Sequence, residues 1–195
     1  MDRRLTPRGR ERRSQLMGFA AARFADQGYH PTSVAEIVGG LGVGKGVFYW
    51  YFRSKEELFE EILREAQHDL RRFQAQAIGD EPDPIARIEL GIRASLTWFE
   101  AHRDLYQLFQ FAVTEQRFLP EMRRQEDIAV EDLMRHVKDA LIEGRIPDGD
   151  PLALTHAIIG VTRHMAREFM LRRGDPASEV ADVVVAFCRH GLLGS

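Results

Sequence analysis

TSVAEIVGGLGVGKGVFYWYFRSKEEL (Thr32–Leu58) reads as two short helices, a tight turn and the beginning of a third helix. Ser33 followed three residues later by Glu36 is the pattern of a capping box, and apolar residues then recur at helical spacing. Gly42 is predicted to end this helix, and the next one is predicted to begin at about Gly44. A short glycine-bearing turn between two helices is what a helix-turn-helix requires.

The second short helix has a composition that is unusual for a surface helix. Phe48 and Phe52 are four residues apart and are predicted to point inward together, which leaves lysine, glycine, valine and aromatic residues outside. In the major groove of DNA, lysine reaches guanine acceptors or phosphate, valine meets a thymine methyl, and glycine lets the backbone come close. Ser54 with Glu57 predicts a second capping box, so the following helix begins with free amides and with Lys55, which suits a phosphate.

The stretch VAEIVGGLGVGKGVFYWYFRSKEELF, residues 34–59, resembles the DNA-binding signature of the TetR/AcrR family of transcriptional regulators. The similarity combines the pattern of the first short helix, the GV-x-KG turn, the aromatic run and the SKEEL cap. Gly44 and Tyr51 depart from it, because serine and histidine are common at those positions. The resemblance implies phosphate contacts from Ser33, Tyr49, Tyr51 and Lys55 and an approach to base edges by Lys45, Gly46 and Val47, with Trp50 on the same outer face. The alternative is a three-helix core whose aromatic residues only pack.

The composition is that of an ordinary globular protein, since 44% of the 195 residues are hydrophobic and 29% are charged. No apolar run approaches the roughly 18 residues of a membrane span, and the opening MDRRLTPRGRERR lacks the apolar core of a signal peptide. We therefore expect a cytoplasmic protein. Its single cysteine, Cys188, excludes an internal disulfide and a CxxC metal site, and we expect neither a cofactor nor a metal.

Positive charge is concentrated toward the N-terminus. Residues 1–55 hold ten Lys and Arg against four Asp and Glu, a net +6, whereas the remainder holds 17 against 26, a net −9. A basic end on an acidic body suits a protein that presents one face to a polyanion. The arginine-rich start, from Arg3 to Arg13, is predicted to begin as a mobile arm, which either lies along the minor groove or only attracts DNA nonspecifically.

The whole chain is predicted to be all-α. A first helix should run from about Pro7 to Gln27, and the helix that begins at Lys55 should continue to about Ile78. Asp-Pro pairs at 83–84, 150–151 and 175–176 place a capping residue before a proline. Further helices are predicted at about 85–101, 103–115, 120–144, 152–173 and 177–193. We predict a three-helix DNA-binding domain over residues 1–54 and a larger helical domain for ligand binding and dimerisation over residues 55–195.

Aromatic and sulfur-bearing side chains are concentrated in the predicted body, and most of them must form its core. Such a mixture with occasional polar groups also lines adaptable pockets. Mainly from the resemblance we expect a small-molecule site here, in which Arg163 is suited to a carboxylate. His164 and Glu168 are one turn apart, but without a third ligand they are better explained as hydrogen-bonded or ion-paired groups than as a metal site. The predicted ligand-binding residues are Trp98, Phe99, Tyr106, Phe109, Met134, His156, Arg163, Met165 and Phe169.

The last predicted helix carries an apolar stripe formed by Val180, Val183, Val184 and Phe187. The stripe must be buried, either within its own domain or against the same helix of a second copy. The two-fold bundle that is usual in the resembled family favours a homodimer.

These features predict a homodimeric regulator that binds a palindromic DNA operator as a repressor and is released by a small, largely apolar effector. One alternative is a regulator of the same fold that has no effector or that activates. A second is a helical enzyme acting on a small molecule, against which the lack of a catalytic constellation counts. A third is a protein-interaction module, which the basic N-terminal domain makes a poorer explanation.

Overall fold

A computed structural model describes residues 5–193, and all regular structure in this range is helical, as predicted. No helix in the range has both the length and the apolar character needed to cross a membrane. Arg3 and Arg4 of the predicted arm lie outside the described residues. The helices are α1 (Pro7–Gln27), α2 (Val34–Gly40), α3 (Lys45–Tyr51), α4 (Lys55–Ile78), α5 (Pro84–Ala101), α6 (Arg103–Ala112), α7 (Leu119–Ile142), α8 (Pro151–Met165), its π-helical continuation (Ala166–Arg173) and α9 (Ala177–Leu193).

Side-chain caps account for several helix starts. The hydroxyl of Thr6 accepts a hydrogen bond from a backbone amide in the first turn of α1 at 3.2 Å. Asp83 and Asp150 precede the prolines that open α5 and α8, and each carboxylate accepts from the amide two residues ahead. At the third Asp-Pro pair, the amide of Ala177 donates instead to Glu100 of α5 at 2.8 Å. A partner distant in sequence therefore satisfies the first amide of α9.

The turn between α2 and α3 depends on one glycine. Gly42 has a φ of +64°, in the left-handed region that favours glycine. Its amide donates to the carbonyl of Gly39 at 3.1 Å, and the amide of Val43 donates to the carbonyl of Val38 at 2.9 Å. This pair of bonds is a Schellman motif, which satisfies carbonyls at the end of α2. The chain is thereby reversed in the short turn that the sequence predicts.

The structure differs from the sequence predictions at two helices of the body. α6 ends at Ala112, a few residues before the predicted end at 115. The helix predicted over 152–173 changes from α to π winding at Ala166. Arg103 donates to the carbonyls of Met170 and Leu171 in this segment, at 3.3 and 2.7 Å. An arginine from another helix thus satisfies two carbonyls in the last turn of this segment, a contact that no local pattern predicts.

The described chain forms two compact units. The first contains the residues up to Ala66 together with Asp104–Leu119, and the second contains Gln67–Arg103 together with the residues from Pro120 onward. A compact unit is defined by contacts and a domain by independent folding, so the predicted boundary between residues 54 and 55 stays a prediction.

A cluster of aromatic side chains forms part of the core of the first unit. The ring centre of Tyr29 lies 4.9–5.6 Å from those of Phe24, Phe59, Phe111 and Phe118. All four pairs meet edge to face or tilted, the arrangements that aromatic quadrupoles favour. Phe111 and Phe118 come from α6 and the loop after it, so this later part of the chain packs within the unit that holds the helix-turn-helix.

In the second unit, α9 packs against α5. Trp98 of α5 is 1% exposed, and its indole Nε1 donates to Asp69 of α4 at 2.9 Å. The ring of His102 stacks on it with the centres 4.3 Å apart. A buried indole N–H needs such an acceptor, because leaving it unpaired would cost about 1–3 kcal/mol.

Candidate nucleic-acid interface

The aromatic residues of α3 and its C-cap residue, Phe52, form an inner and an outer set. Phe48 and Phe52 are 0% and 1% exposed, whereas Tyr49 and Trp50 are 56% and 53% exposed. Burial of the inner pair sets the rotation of α3 about its axis, so the opposite side of the helix faces solvent. The inward pair predicted from the sequence is confirmed by this arrangement.

The other predicted residues of α3 lie on this outer side or at its edge. Lys45 and Gly46 are exposed, and Val47 and Tyr51 are half-buried. A Cβ added at Gly46 would meet no other atom within 4 Å, so a ligand can approach the backbone there. The ring of Tyr51 packs edge-on against Trp50 at 4.6 Å, and its hydroxyl lies beside the first turn of α1. Packing therefore restricts the side chain of Tyr51 more than that of Tyr49.

Ser33 caps α2 as the sequence predicts. Its Oγ accepts from the amide of Glu36 at 3.2 Å, and the carboxylate of Glu36 accepts from the amide of Ser33 at 2.6 Å. These hydrogen bonds hold the pKa of Glu36 below its ordinary value. Because the cap uses the hydroxyl oxygen as an acceptor, the exposed O–H of Ser33 remains a donor for a phosphate.

Lys55 is placed differently from the prediction. Its ammonium donates to the backbone carbonyls of Tyr29, His30 and Thr32 at 2.9, 3.3 and 2.8 Å, and it lies 4.3 Å from the centre of the Tyr29 ring. An ammonium has three N–H bonds, and these carbonyls use all three. The half-buried Lys55 therefore holds the turn between α1 and α2, and the phosphate contact predicted for it has no support in this geometry.

The second predicted capping box forms with one shifted bond. Ser54 Oγ accepts from the amide of Glu57 at 3.2 Å at the start of α4. The carboxylate of Glu57 accepts from the amide of Arg53 at 2.5 Å, one residue before the position that a regular capping box uses. The first turn of α4 is therefore hydrogen-bonded to Arg53, which directly follows Phe52 at the end of α3.

Sequence reasoning missed the role of Arg13. The charge run at the N-terminus predicted a basic arm, but Arg13 lies in α1 and pairs with Glu61 at 2.5 Å and with Glu65. Its guanidinium also lies 5.4 Å from the centre of the Phe52 ring. The charge of Arg13 is thus paired with carboxylates of α4. A run of arginines carries no signal that distinguishes a paired member from a solvated one.

The structure divides the predicted ligand-binding residues between the two units. Tyr106 and Phe109 belong to the first unit, and the others belong to the second. The aromatic residues Trp98, Phe99, Tyr106 and Phe109 are buried, Met134, Arg163, Met165 and Phe169 are half-buried, and His156 is exposed.

Arg163 and Phe169 of the predicted ligand-binding set have charged neighbours, as Trp98 does. Arg163 pairs with Glu126 at 3.0 Å, so a ligand carboxylate would compete with this protein carboxylate. The ring of Phe169 lies 4.8 Å from the guanidinium of Arg173. His164 and Glu168 face arginines, and among residues 5–193 no three His, Cys, Asp or Glu side chains are grouped as metal ligands.

The apolar stripe predicted on α9 is split by the fold. Val180 and Val184 are 3% and 0% exposed within the second unit, whereas Val183 and Phe187 are 55% and 64% exposed. With about 3.6 residues per turn, the two pairs form neighbouring rows on the helix. The row of Val180 and Val184 is buried in the core of the protomer. Val180 and Val184 are therefore not available to a second copy, which corrects the prediction for those two residues.

An open cleft of about 610 Å³ lies in the first unit between α1 and α6. Phe19 and Arg23 of α1 line it together with Asp26, and Asp104 and Gln107 of α6 line the other side. None of these residues belongs to the predicted ligand-binding set. The Arg23 guanidinium lies 5.4 Å from the centre of the Phe19 ring, so the apolar surface of the cleft is partly covered by charge.

The geometry defines the class of protein. A helix-turn-helix whose second helix exposes a lysine, an open glycine and two aromatic side chains is a DNA-binding module of the type that places this helix in the major groove. The family model described as bacterial regulatory proteins, tetR family, matches residues 18–62, which contain α2, α3 and the beginning of α4.

Similarity to known proteins extends beyond this motif. The uncharacterized HTH-type transcriptional regulator YdgC of Bacillus subtilis (strain 168) is 25% identical over 91% of this chain and 91% of its own length. The HTH-type transcriptional repressor KstR2 of Mycobacterium tuberculosis is 32% identical, over 51% of this chain and 50% of its own. A TetR-family crystal structure from Syntrophomonas wolfei superposes with a TM-score of 0.84 at 20% identity, covering 95% of this chain and 96% of that one.

Residues 18–62 of the chain therefore match the tetR family of bacterial regulatory proteins, and the similar proteins are named transcriptional regulators, which confirms the resemblance predicted from the sequence. Its relatives are DNA-binding regulators and not enzymes, so the class predicted from the sequence is confirmed.

Proposed function

We propose that this protein is a homodimeric cytoplasmic repressor that binds a palindromic operator and is released by a small, largely apolar effector. The outer face of α3 carries the proposal, because Tyr49 and Trp50 are more than half exposed while Phe48 and Phe52 are buried. Exposed aromatic side chains beside a lysine are costly on an unliganded surface and are explained by a partner. A partner that accepts hydrogen bonds and carries negative charge suits this face.

The residues of this face divide into two kinds of contact. In this proposal Lys45 and Val47 approach base edges, where an ammonium meets guanine acceptors and a methyl group meets thymine. The hydroxyls of Ser33 and Tyr49 are suited to phosphates, which position the protein without reading sequence. Lys55 contributes indirectly, because its hydrogen bonds hold the turn that precedes α2.

Repression and induction are supported by the name of one relative and by the side chains of the second unit. KstR2, which is named a repressor, is 32% identical over about half of each chain. The half-buried Met134, Met165 and Phe169 provide adaptable apolar surface in the second unit, which suits an apolar effector. A regulator without an effector, or one that activates, remains an outcome of the experiments below.

The DNA-binding part of the proposal is tested by selecting bound sequences from a random pool of duplex DNA and titrating the selected duplex at several salt concentrations. Lys45→Met should weaken binding and lower the slope of log affinity against log salt by about 1, because one cationic contact is lost. Lys138→Met, which removes an exposed lysine of α7, is the matched control and should change neither. A folded wild-type protein that enriches no sequence would refute the proposal.

The regulatory part is tested with a reporter gene whose promoter overlaps the selected site. Expression should fall when the protein is present, whereas a rise would identify an activator. Native mass spectrometry of the purified protein should detect a bound small molecule, which would then be added back to the titration. If the detected molecule leaves DNA affinity unchanged when it is added back, it is not the effector that releases the protein from DNA.

A further inference from the structure

The segment Asp104–Leu119 packs with the helix-turn-helix, although the second half of α4 and all of α5 separate the two in sequence. Phe111 and Phe118 of this segment reach the aromatic cluster around Tyr29. The ring of Phe118 lies 4.5 Å from that of Phe59 in α4. The position of this later segment is therefore coupled to the turn between α1 and α2 and to the start of α4.

A set of polar contacts runs alongside the aromatic cluster. The carboxylate oxygen Oε1 of Glu56 accepts from the hydroxyl of Tyr29 at 3.0 Å and from the guanidinium of Arg117 at 3.2 Å. Glu115 meets His30 Nε2 at 3.1 Å with one oxygen and Arg117 Nε at 3.8 Å with the other. His30 of the α1–α2 turn and Glu56 in the first turn of α4 are thus joined to the loop after α6, and Tyr29 is joined to it through Glu56.

The residues held by this loop are the ones that set the geometry of the helix-turn-helix. Tyr29 and His30 offer two of the three carbonyls that Lys55 binds, and Thr32 offers the third immediately before the cap of α2. The hydroxyl of Thr32 also donates to the carbonyl of Gly28 at 2.8 Å, which closes the turn. A shift of this turn would move the start of α2, and α2 carries α3 through its short connection.

We propose that Arg117 and Glu115 are positioning residues for DNA binding: they hold Glu56 and His30 and thereby keep the α1–α2 turn in the geometry from which α3 meets DNA. This inference rests on the proposed function. Arg117 is 49% exposed and Glu56 is 43% exposed, so their ion pair is in contact with water and is screened by salt. Such contacts are weak individually and suit an attachment that is released and remade.

The charge state of Glu56 is consistent with this arrangement. Burial by itself would raise the pKa of the Glu56 carboxyl, but hydrogen bonds from its backbone, from Tyr29 and from Ser54 and the charge of Arg117 bring the pKa below its ordinary value. The ionised carboxylate can accept from the phenol and the guanidinium at once, as the two distances require.

The test compares Arg117→Met with Arg145→Met in the full-length protein. Arg145 is matched because it is 48% exposed and pairs with one carboxylate, Asp83 at 3.1 Å, in the second unit. Arg117→Met should bind the duplex selected by the wild type roughly 3- to 10-fold more weakly, the size expected from losing exposed ion pairs. Arg145→Met should bind like the wild type, and Arg117→Lys should recover part of the loss because it keeps the charge.

A second measurement does not depend on DNA. Hydrogen exchange at the amides of Glu36 and Ile37, which bond to Ser33 at the start of α2, should be faster in Arg117→Met and unchanged in Arg145→Met. Glu115→Gln should show the same direction and serves if Arg117→Met does not fold. A wild type that binds no duplex overturns both the proposed function and this inference. Equal affinity and equal exchange in the two methionine variants, with a wild type that binds, overturn this inference alone.

Discussion

Gly40 is a residue of α2 at which a side chain would displace the ring of Phe19. A Cβ built there would lie 2.0 Å from Cζ of Phe19 in α1, with two more atoms of the ring within 2.9 Å. The neighbouring Gly39 has nothing within 4 Å of its Cβ position. The sequence shows only two adjacent glycines, and the packing of α1 on α2 makes them different.

This pair gives a prediction with its own control. Gly40→Ala should destabilise the protein by about 1–3 kcal/mol, because the ring of Phe19 must leave its place. Gly39→Ala should be neutral or stabilising by about 0.5–1 kcal/mol, because alanine reduces the conformational freedom of the unfolded chain. Urea unfolding followed by circular dichroism measures both. Equal effects of the two substitutions would mean that α1 and α2 do not pack as described.

The two lysines of the motif, Lys45 and Lys55, are predicted to act in different ways. Lys55→Met removes the donors to three backbone carbonyls and should lower the free energy of unfolding by about 1–3 kcal/mol. Lys45→Met removes an exposed charge and should leave that free energy within about 0.5 kcal/mol of the wild type while weakening DNA binding. Thermal and urea unfolding measure the difference. If Lys55→Met has full stability but binds DNA less well, the result would instead support the phosphate contact predicted for Lys55 from the sequence.

At the scale of single elements, α9 shows how one apolar stripe serves two purposes. The row of Val180 and Val184 is buried in the protomer, and the row of Val183 and Phe187 is left exposed. Two large exposed apolar side chains one turn apart on a helix are suited to a second copy of the same helix, which supports the proposed homodimer.

Substitutions in the two rows should have separate effects. Phe187→Glu should yield a folded monomer, because a charge placed in an apolar interface is costly there and harmless in solvent. Val184→Glu should instead unfold the protomer, because the same charge would be buried in its core. Sedimentation velocity reports the first outcome, and circular dichroism reports the second. A folded, dimeric Phe187→Glu variant would exclude this row from the interface.

For the whole molecule, the proposed dimer places two copies of α3 on one DNA duplex. Helix-turn-helix dimers read half-sites about one helical turn apart, roughly 34–36 Å, because both recognition helices enter the groove from the same side. The spacing between half-sites is therefore a property of the assembled protein and not of α3 alone.

The operator should therefore be sensitive to spacing. Insertion of about half a helical turn between the selected half-sites should reduce affinity to that of a single half-site, because the second α3 then faces the wrong side of the duplex. The same insertion placed outside the half-sites should have no effect. Fluorescence anisotropy with labelled duplexes measures both. Unchanged affinity after the internal insertion would show that each protomer binds independently.

The sequence by itself determined the features that depend on near neighbours in the chain. Ser33 and Glu36 specify the start of α2, Gly42 supplies the positive φ of the turn, and the four-residue spacing of Phe48 and Phe52 orients α3. Each signal acts within about one helical turn, where capping and side-chain periodicity are local effects. These local signals also carry the family resemblance, and for that reason the class of protein was predictable.

Only the tertiary structure decided which partners the individual side chains have. Lys55 bonds to carbonyls of the α1–α2 turn, Arg117 reaches Glu56 from the loop after α6, and Val184 is taken into the core of its own protomer. These contacts join residues far apart in the chain, and their geometry depends on how the helices pack. In the sequence, an exposed charged residue cannot be told from a paired one, and a core valine cannot be told from an interface valine. Only the packing of the helices distinguishes them.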